Sequence, residues 1–184
     1  MSFFLKQQIV VLQVSGRDAE RYCQSRLSND IKTLPEKQCC LAAALDAQGK
    51  TKALFRVLKI SNEEFLLLCD GGDSQAAKEA FSQFIVADQV HVDDVSKEYS
   101  CVHLAGDARN LDLSQFVGSS IPETENHFIV LNEMYIIANS RSCKPGIDII
   151  TPQEEGEKLC SYLSESGLTP WDENQQILER LTAG

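Results

Sequence analysis

The stretch that most constrains this chain is QCCLAAALDAQGKTKALFRVLKI, residues 38–60. Two strand-like runs flank Asp46-Ala47-Gln48-Gly49. An aspartate can hydrogen-bond its own backbone, and a glycine is free to take positive φ, so the segment predicts a hairpin closed by a short loop.

The rest of the chain supplies partners for that hairpin. Residues 9–14 predict a strand, after which Ser15-Gly16-Arg17-Asp18 opens a helix through a Ser-x-x-Asp cap, with Ala19, Tyr22, Cys23 and Leu27 as its apolar face. This helix ends near Ser28-Asn29-Asp30. Residues 64–69 predict a third strand, and Asp73 or Ser74 caps a helix that turns Ala77, Ala80, Phe81 and Phe84 inward. Further strands fit at 89–95, 101–104, 127–131, 134–138 and 147–150. Thr151-Pro152-Gln153-Glu154 then reads as a capping box with proline in the first turn, Leu159, Cys160 and Leu163 as the buried side and Gly167 as the stop. The run CVHLAGDAR echoes VLQVSGRDAER, a sign of a repeated strand-to-helix unit. Hairpins interleaved with single helices indicate an α+β architecture with mostly antiparallel sheet.

Charge and cysteine usage narrow the function. A formal charge of −10 argues against a DNA or RNA footprint, which needs clustered Lys and Arg. A small anion could still be held by the densest basic stretch, Lys50, Lys52, Arg56 and Lys59; the plainer reading is a solvated strand face. Seven cysteines, an odd number without C-x-x-C spacing, read as buried reduced thiols rather than metal ligands. Apolar runs such as FIVL and MYIIA fall far below the ~20 residues of a membrane span, so a cytoplasmic protein is expected.

Phosphate-binding glycine loops and the G-x-S-x-G elbow are missing from the sequence. His91, His103 and His127 lie in strand-like segments, where a half-buried side chain is the ordinary role. Asp93-Asp94 and Glu154-Glu155 sit at element edges and read as surface charge.

Three stretches, VSGRDAERYCQSRLSNDIKTL, LAAALDAQGKTKALFRVL and QQILERLTAG, taken in order, resemble the YgfZ branch of the folate-binding family that includes the glycine-cleavage aminomethyltransferase. The resemblance implies a GcvT/YgfZ-type fold with a ferredoxin-like subdomain, divided into an inserted hairpin/helix unit at roughly 38–96 and a second subdomain built from 1–37 with 97–184. It also implies that the chain ends mid-protein at Gly184, lacking a K-G-C-[YF]-x-G-Q-E segment and a C-terminal barrel, and that apolar surface left uncovered could support a dimer.

Tetrahydrofolate is the implied ligand, and iron-sulfur cluster maintenance with its effect on tRNA modification is the implied role, with iron-sulfur proteins as partners. The pterin-holding carboxylate of the family's G-x-E-[IL] segment matches Asp148 in Gly146-Ile147-Asp148-Ile149, with Asp in place of Glu. The arginine of R-x-E-A-G matches Arg180, and the family's N-D pair matches Asn29 and Asp30. Lys50 and Arg56 complete the candidate folate-binding set. The alternatives for Asp148 and Arg180 are an exposed strand-end acid and a surface helix residue. Transferases of the family carry an acid on the second hairpin strand, at the place of Ala53 or Leu54 here, which disfavours a complete aminomethyltransferase. Three readings stand: a YgfZ-like accessory factor, an aminomethyltransferase, and an interaction domain that has lost folate.

Overall fold

The hairpin forms where expected. In the computed structural model, which describes residues 3–46, 48–70, 74–82, 88–106, 111–118, 121–141, 145–172 and 175, β3 (Cys39–Leu45) pairs antiparallel with β4 (Thr51–Ser61). Asp46 Oδ1 accepts the backbone N–H groups of Gln48 and Lys50 at 3.0 and 2.9 Å, closing the turn by the expected side-chain bond.

With β2 (Val10–Ser15), β5 (Glu64–Cys69) and β6 (His91–Asp94), the hairpin makes an antiparallel five-stranded sheet in the order β3-β4-β5-β2-β6. Alternation sends Val10, Leu12, Val14, Phe55, Val57, Phe65 and Leu67 to one face. There α1 (Ala19–Arg26) and α2 (Ser74–Ser82) add Tyr22, Cys23, Ala77 and Phe81. Each buried aromatic contributes roughly 1.5–3 kcal/mol of burial free energy. Tyr22 also donates its hydroxyl to the Phe81 carbonyl at 2.7 Å, so its polar end is satisfied in the core.

The second sheet has six strands: β11 (Thr169–Pro170), β1 (Phe3–Gln7), β7 (Tyr99–Ala105), β10 (Gly146–Pro152), β9 (Met134–Ala138) and β8 (Phe128–Leu131), in that order. All neighbours are antiparallel apart from β1 with β11. Val102, Leu104, Ile136, Ile147 and Ile149 share a core with Leu113, Leu159 and Leu163, which flank or lie on α3 (Ser114–Val117) and α4 (Gln153–Glu165).

The two sheets repeat one plan. The series β2-α1-β3-β4-β5-α2 has its counterpart in β7-α3-β8-β9-β10-α4, and β3-β4-β5-β2 corresponds to β8-β9-β10-β7. The next place in each sheet is filled by exchange: β6, which precedes the second series, pairs with β2, and β1, which precedes the first, pairs with β7. Within the five-stranded sheet, β2-α1-β4-β5-α2-β6 has the ferredoxin-like order β4-β5-β2-β6, with β3 added at its edge.

Two compact units result: Gln8–Lys97, and Met1–Gln7 with Glu98–Gly184. Residues 8–37, expected alongside 97–184, fall instead with 38–96, because β2 is held between β5 and β6. Neither expected capping box forms. The Asp18 carboxylate accepts the Gln89 N–H at 2.9 Å, which depresses its pKa, and makes no cap bond to α1. Thr151 is buried within β10 opposite Ser100, since the strand runs on to Pro152.

Candidate ligand-binding site

Period-two alternation along β10 decides the place of Asp148. Ile147 and Ile149 enter the helix-covered core, so Asp148 points to the opposite face, level with His103 on β7 and Ile137 on β9. It is 2% exposed, which rules out the exposed strand-end alternative.

A buried carboxylate persists only when its lone pairs are filled. Asp148 Oδ1 accepts His103 Nδ1–H at 2.8 Å and Arg141 Nε–H at 2.9 Å. Oδ2 accepts Arg141 Nη2–H at 3.0 Å and the side-chain amide of Asn139. Arg141 therefore grips both oxygens as a fork, while His103 and Asn139 each take one. Burial works to raise the Asp148 pKa, but the charge of Arg141 and the bond from His103 more than offset it and hold the carboxyl below its ordinary range. The group is an anion at neutral pH.

The guanidinium has other contacts on the same sheet. Arg141 Nη1 donates to Gln7 Oε1 on β1, and Nη2 lies 3.4 Å from Cys101 Sγ on β7. Gly146 keeps the cluster tight, because a Cβ there would meet His103 Cε1 at 2.7 Å and the Asn139 carbonyl oxygen at 2.8 Å.

The remaining candidates lie elsewhere or outside the description. Asn29 Nδ2 donates to the Leu41 carbonyl at 3.0 Å, and Asn29 Oδ1 accepts the Asp30 N–H. Asp30 in turn accepts the Thr33 N–H at 3.3 Å. Both residues thus order the turn after α1, and with Ser28, which exchanges hydrogen bonds with Ala43, they cover the outer edge of β3. Lys50 is exposed in the hairpin loop and Arg56 is half-buried on β4, with Nη1 3.8 Å from Cys39 Sγ. Arg180 lies outside the described residues. Asp148 therefore belongs to the second unit and Asn29, Asp30, Lys50 and Arg56 to the first.

The basic stretch is not one cationic face. Lys59 is 3% exposed and ion-paired with Glu20 of α1 at 2.6 Å, while Lys52 sits 3.4 Å from Asp46. Ala53 packs against the helix-side core, whereas Leu54 faces the other way and is 54% exposed.

Sequence reasoning missed Asn139 and Arg141 and read His103 as half-buried. No spacing rule joined them, because the partners of Asp148 come from β7, the end of β9 and the connection to β10. A cavity of about 630 Å³ in the second unit, lined by Phe116, Met134 and Pro152 with Glu98, Glu133 and Glu154 among others, includes none of the candidate residues. Its carboxylates would repel an anionic ligand. Among the described residues no cluster of three metal-ligating side chains occurs, and no helix is long and apolar enough to cross a membrane.

The family model of the GCVT N-terminal domain matches residues 6–167. An uncharacterized protein of Haemophilus influenzae is 26% identical over 174 residues, covering 89% of this chain and 60% of that protein. An aminomethyltransferase of Staphylococcus epidermidis is 23% identical over 183 residues, 94% of this chain and 49% of its own length. The chain thus spans about half to three-fifths of the curated relatives it matches. Among solved structures, the glycine cleavage system aminomethyltransferase T of Bartonella henselae superposes with a TM-score of 0.87 at 16% identity, over 100% of this chain and 51% of the other. That likeness establishes a shared α+β fold.

Proposed function

The chain belongs to the GCVT N-terminal domain family, and from that premise we propose that it binds tetrahydrofolate in a cytoplasmic YgfZ-type accessory protein, one that supports iron-sulfur cluster assembly or repair and through it tRNA modification. The observation that carries the reading is the second strand of the hairpin. At Ala53 or Leu54, where the resemblance puts the acid of the transferases, neither side chain can move a proton or stabilise developing positive charge. Binding without aminomethyl transfer is what such a surface supports.

The Asp148 carboxylate suits a pterin. It already receives a planar pair of donors from Arg141, the same pattern offered by the ring N–H and exocyclic amine of the pterin. In this reading Asp148 holds the pterin edge and Arg180 pairs with a folate carboxylate. Lys50, Arg56, Asn29 and Asp30 are the remaining folate-contact candidates, all on the first unit. When bound, tetrahydrofolate would supply a reduced pterin as acceptor for one-carbon units.

Aminomethyl transfer is the second reading, favoured by the identity shared with the aminomethyltransferase of Staphylococcus epidermidis over nearly the whole chain. Two measurements separate them. Tetrahydrofolate should raise the melting temperature of the protein, and an aminomethylated lipoyl carrier with tetrahydrofolate should yield no methylene-tetrahydrofolate. Turnover in that assay would replace the accessory reading with the transferase one; no thermal shift would remove the folate reading.

A further inference from the structure

We propose that Arg141 is a displaceable internal occupant of the Asp148 carboxylate, so that a ligand gains this carboxylate only by replacing the guanidinium fork edge for edge. The inference rests on the reading that Asp148 meets the pterin, and it adds a specificity-determining role for Arg141.

Three observations lead there. The first is the match of donors. Arg141 uses Nε–H and Nη2–H, two donors on one sp² carbon, against the two oxygens of Asp148 at 2.9 and 3.0 Å. The acylguanidine edge of a pterin likewise hangs two N–H donors on one sp² carbon, so the two edges fit the same acceptor pair and exclude one another. A ligand with a single donor, or with an acceptor in that edge, could not compensate both oxygens.

The second is which partners are fixed. His103 is held within β7 directly opposite Asp148, and the Asn139 backbone N–H bonds the Gly146 carbonyl at the end of the β9–β10 pairing. Arg141 belongs to neither strand. It reaches the carboxylate from the connection between them, so it is the partner that can leave without unpairing the sheet.

The third is where the guanidinium can go. Gln7 Oε1 already accepts from Nη1, and Cys101 Sγ lies 3.4 Å from Nη2. By withdrawing onto these two acceptors, Arg141 would concede the carboxylate while keeping its charge beside it. The buried anion is then never left without a nearby cation when a neutral heterocycle arrives. Apparent affinity falls by the fraction of molecules in which the carboxylate is accessible, so Arg141 sets a threshold that only a two-donor edge crosses.

The test is titration of the full chain with tetrahydrofolate by calorimetry, comparing wild type with Arg141→Lys, Arg141→Ala and Asp148→Asn, alongside NMR observation of the Arg141 Nε–H. Lysine offers a point charge instead of a fork, so Arg141→Lys should stay folded and bind tetrahydrofolate about tenfold more tightly. The Nε–H resonance of the wild type should shift at saturation. Weaker binding by a folded Arg141 variant would make the arginine a ligand contact and overturn the proposal, as would an Nε–H signal unmoved at saturation. Should Arg141→Ala fail to fold, the lysine variant carries the comparison. Wild-type affinity in Asp148→Asn, or binding by none of the proteins, would instead remove the folate reading of Asp148, and the role of Arg141 with it.

Discussion

Lys59 and Glu20 meet across 2.6 Å, with the lysine 3% exposed and its ammonium 5.9 Å from the centre of the Phe65 ring. The pair ties β4 to α1 and removes one cation from the basic stretch of the hairpin. Removing only the acid would leave a buried ammonium without its anion, so Glu20→Gln should cost roughly 2–4 kcal/mol of stability in urea unfolding. The double variant Glu20→Gln with Lys59→Met should recover most of that loss. A Glu20→Gln protein as stable as wild type would show that the pair contributes nothing.

Asp148 gives the protein an acid limb of defined sign. Its folded pKa lies below the ordinary carboxylate value because Arg141 and His103 outweigh burial, so its contribution is present above the unfolded pKa of about 4 and lost as pH falls toward the lower folded one. Asp148→Asn should remove this part of the acid dependence and cost about 3–5 kcal/mol at pH 7, by leaving Arg141 without its anion. Unfolding curves between pH 7 and pH 3 check both; an unchanged acid limb in the variant would refute the assignment.

Cys23 lies in the core of the first unit, fully buried, and burial pushes its thiol up to about 12. Reactive cysteines are thiolates with access to solvent. Alkylation of the native protein at pH 8, read by peptide mass spectrometry, should leave Cys23 unmodified until the fold is opened with denaturant. Labelling at the rate of an unfolded control would contradict its burial.

Adjacent hairpin residues should respond oppositely to substitution. Leu54 is 54% exposed and Phe55 is wholly buried, so Leu54→Asp should fall within about 0.5 kcal/mol of wild type, while Phe55→Ala should lose about 3–5 kcal/mol. Reversal of that order would mean the strand is paired one residue out of register.

Local signals predicted the hairpin well, because its turn bonds and alternation lie within a few residues of one another. The strand bounds at Glu64–Cys69 and Met134–Ala138 match the pattern reading for the same reason. The helices begin where expected, at Ala19 and Gln153, but both caps misled: Asp18 is taken by Gln89, and Thr151 by the continuing strand, and these partners are remote in sequence. β1 was not expected at all, since FFLKQ alternates poorly and pairs with a strand far along the chain. Asp148 was singled out by resemblance alone, and its partners were not legible, because no spacing rule joins β7, β10 and the connection bearing Arg141. The echo of VLQVSGRDAER in CVHLAGDAR pointed to the repeated plan, of which residues 107–110 lie outside the description.

The strand exchange carries a consequence for synthesis. Leu5 leaves the ribosome before its neighbour His103, which emerges on the order of ten seconds later at ordinary elongation rates. Gln8–Lys97 contains every strand of its own sheet and can close while translation continues. β1 meanwhile waits as an unpaired segment, since both of its neighbours, β7 and β11, are made later, and its free backbone groups are a template for pairing with other chains.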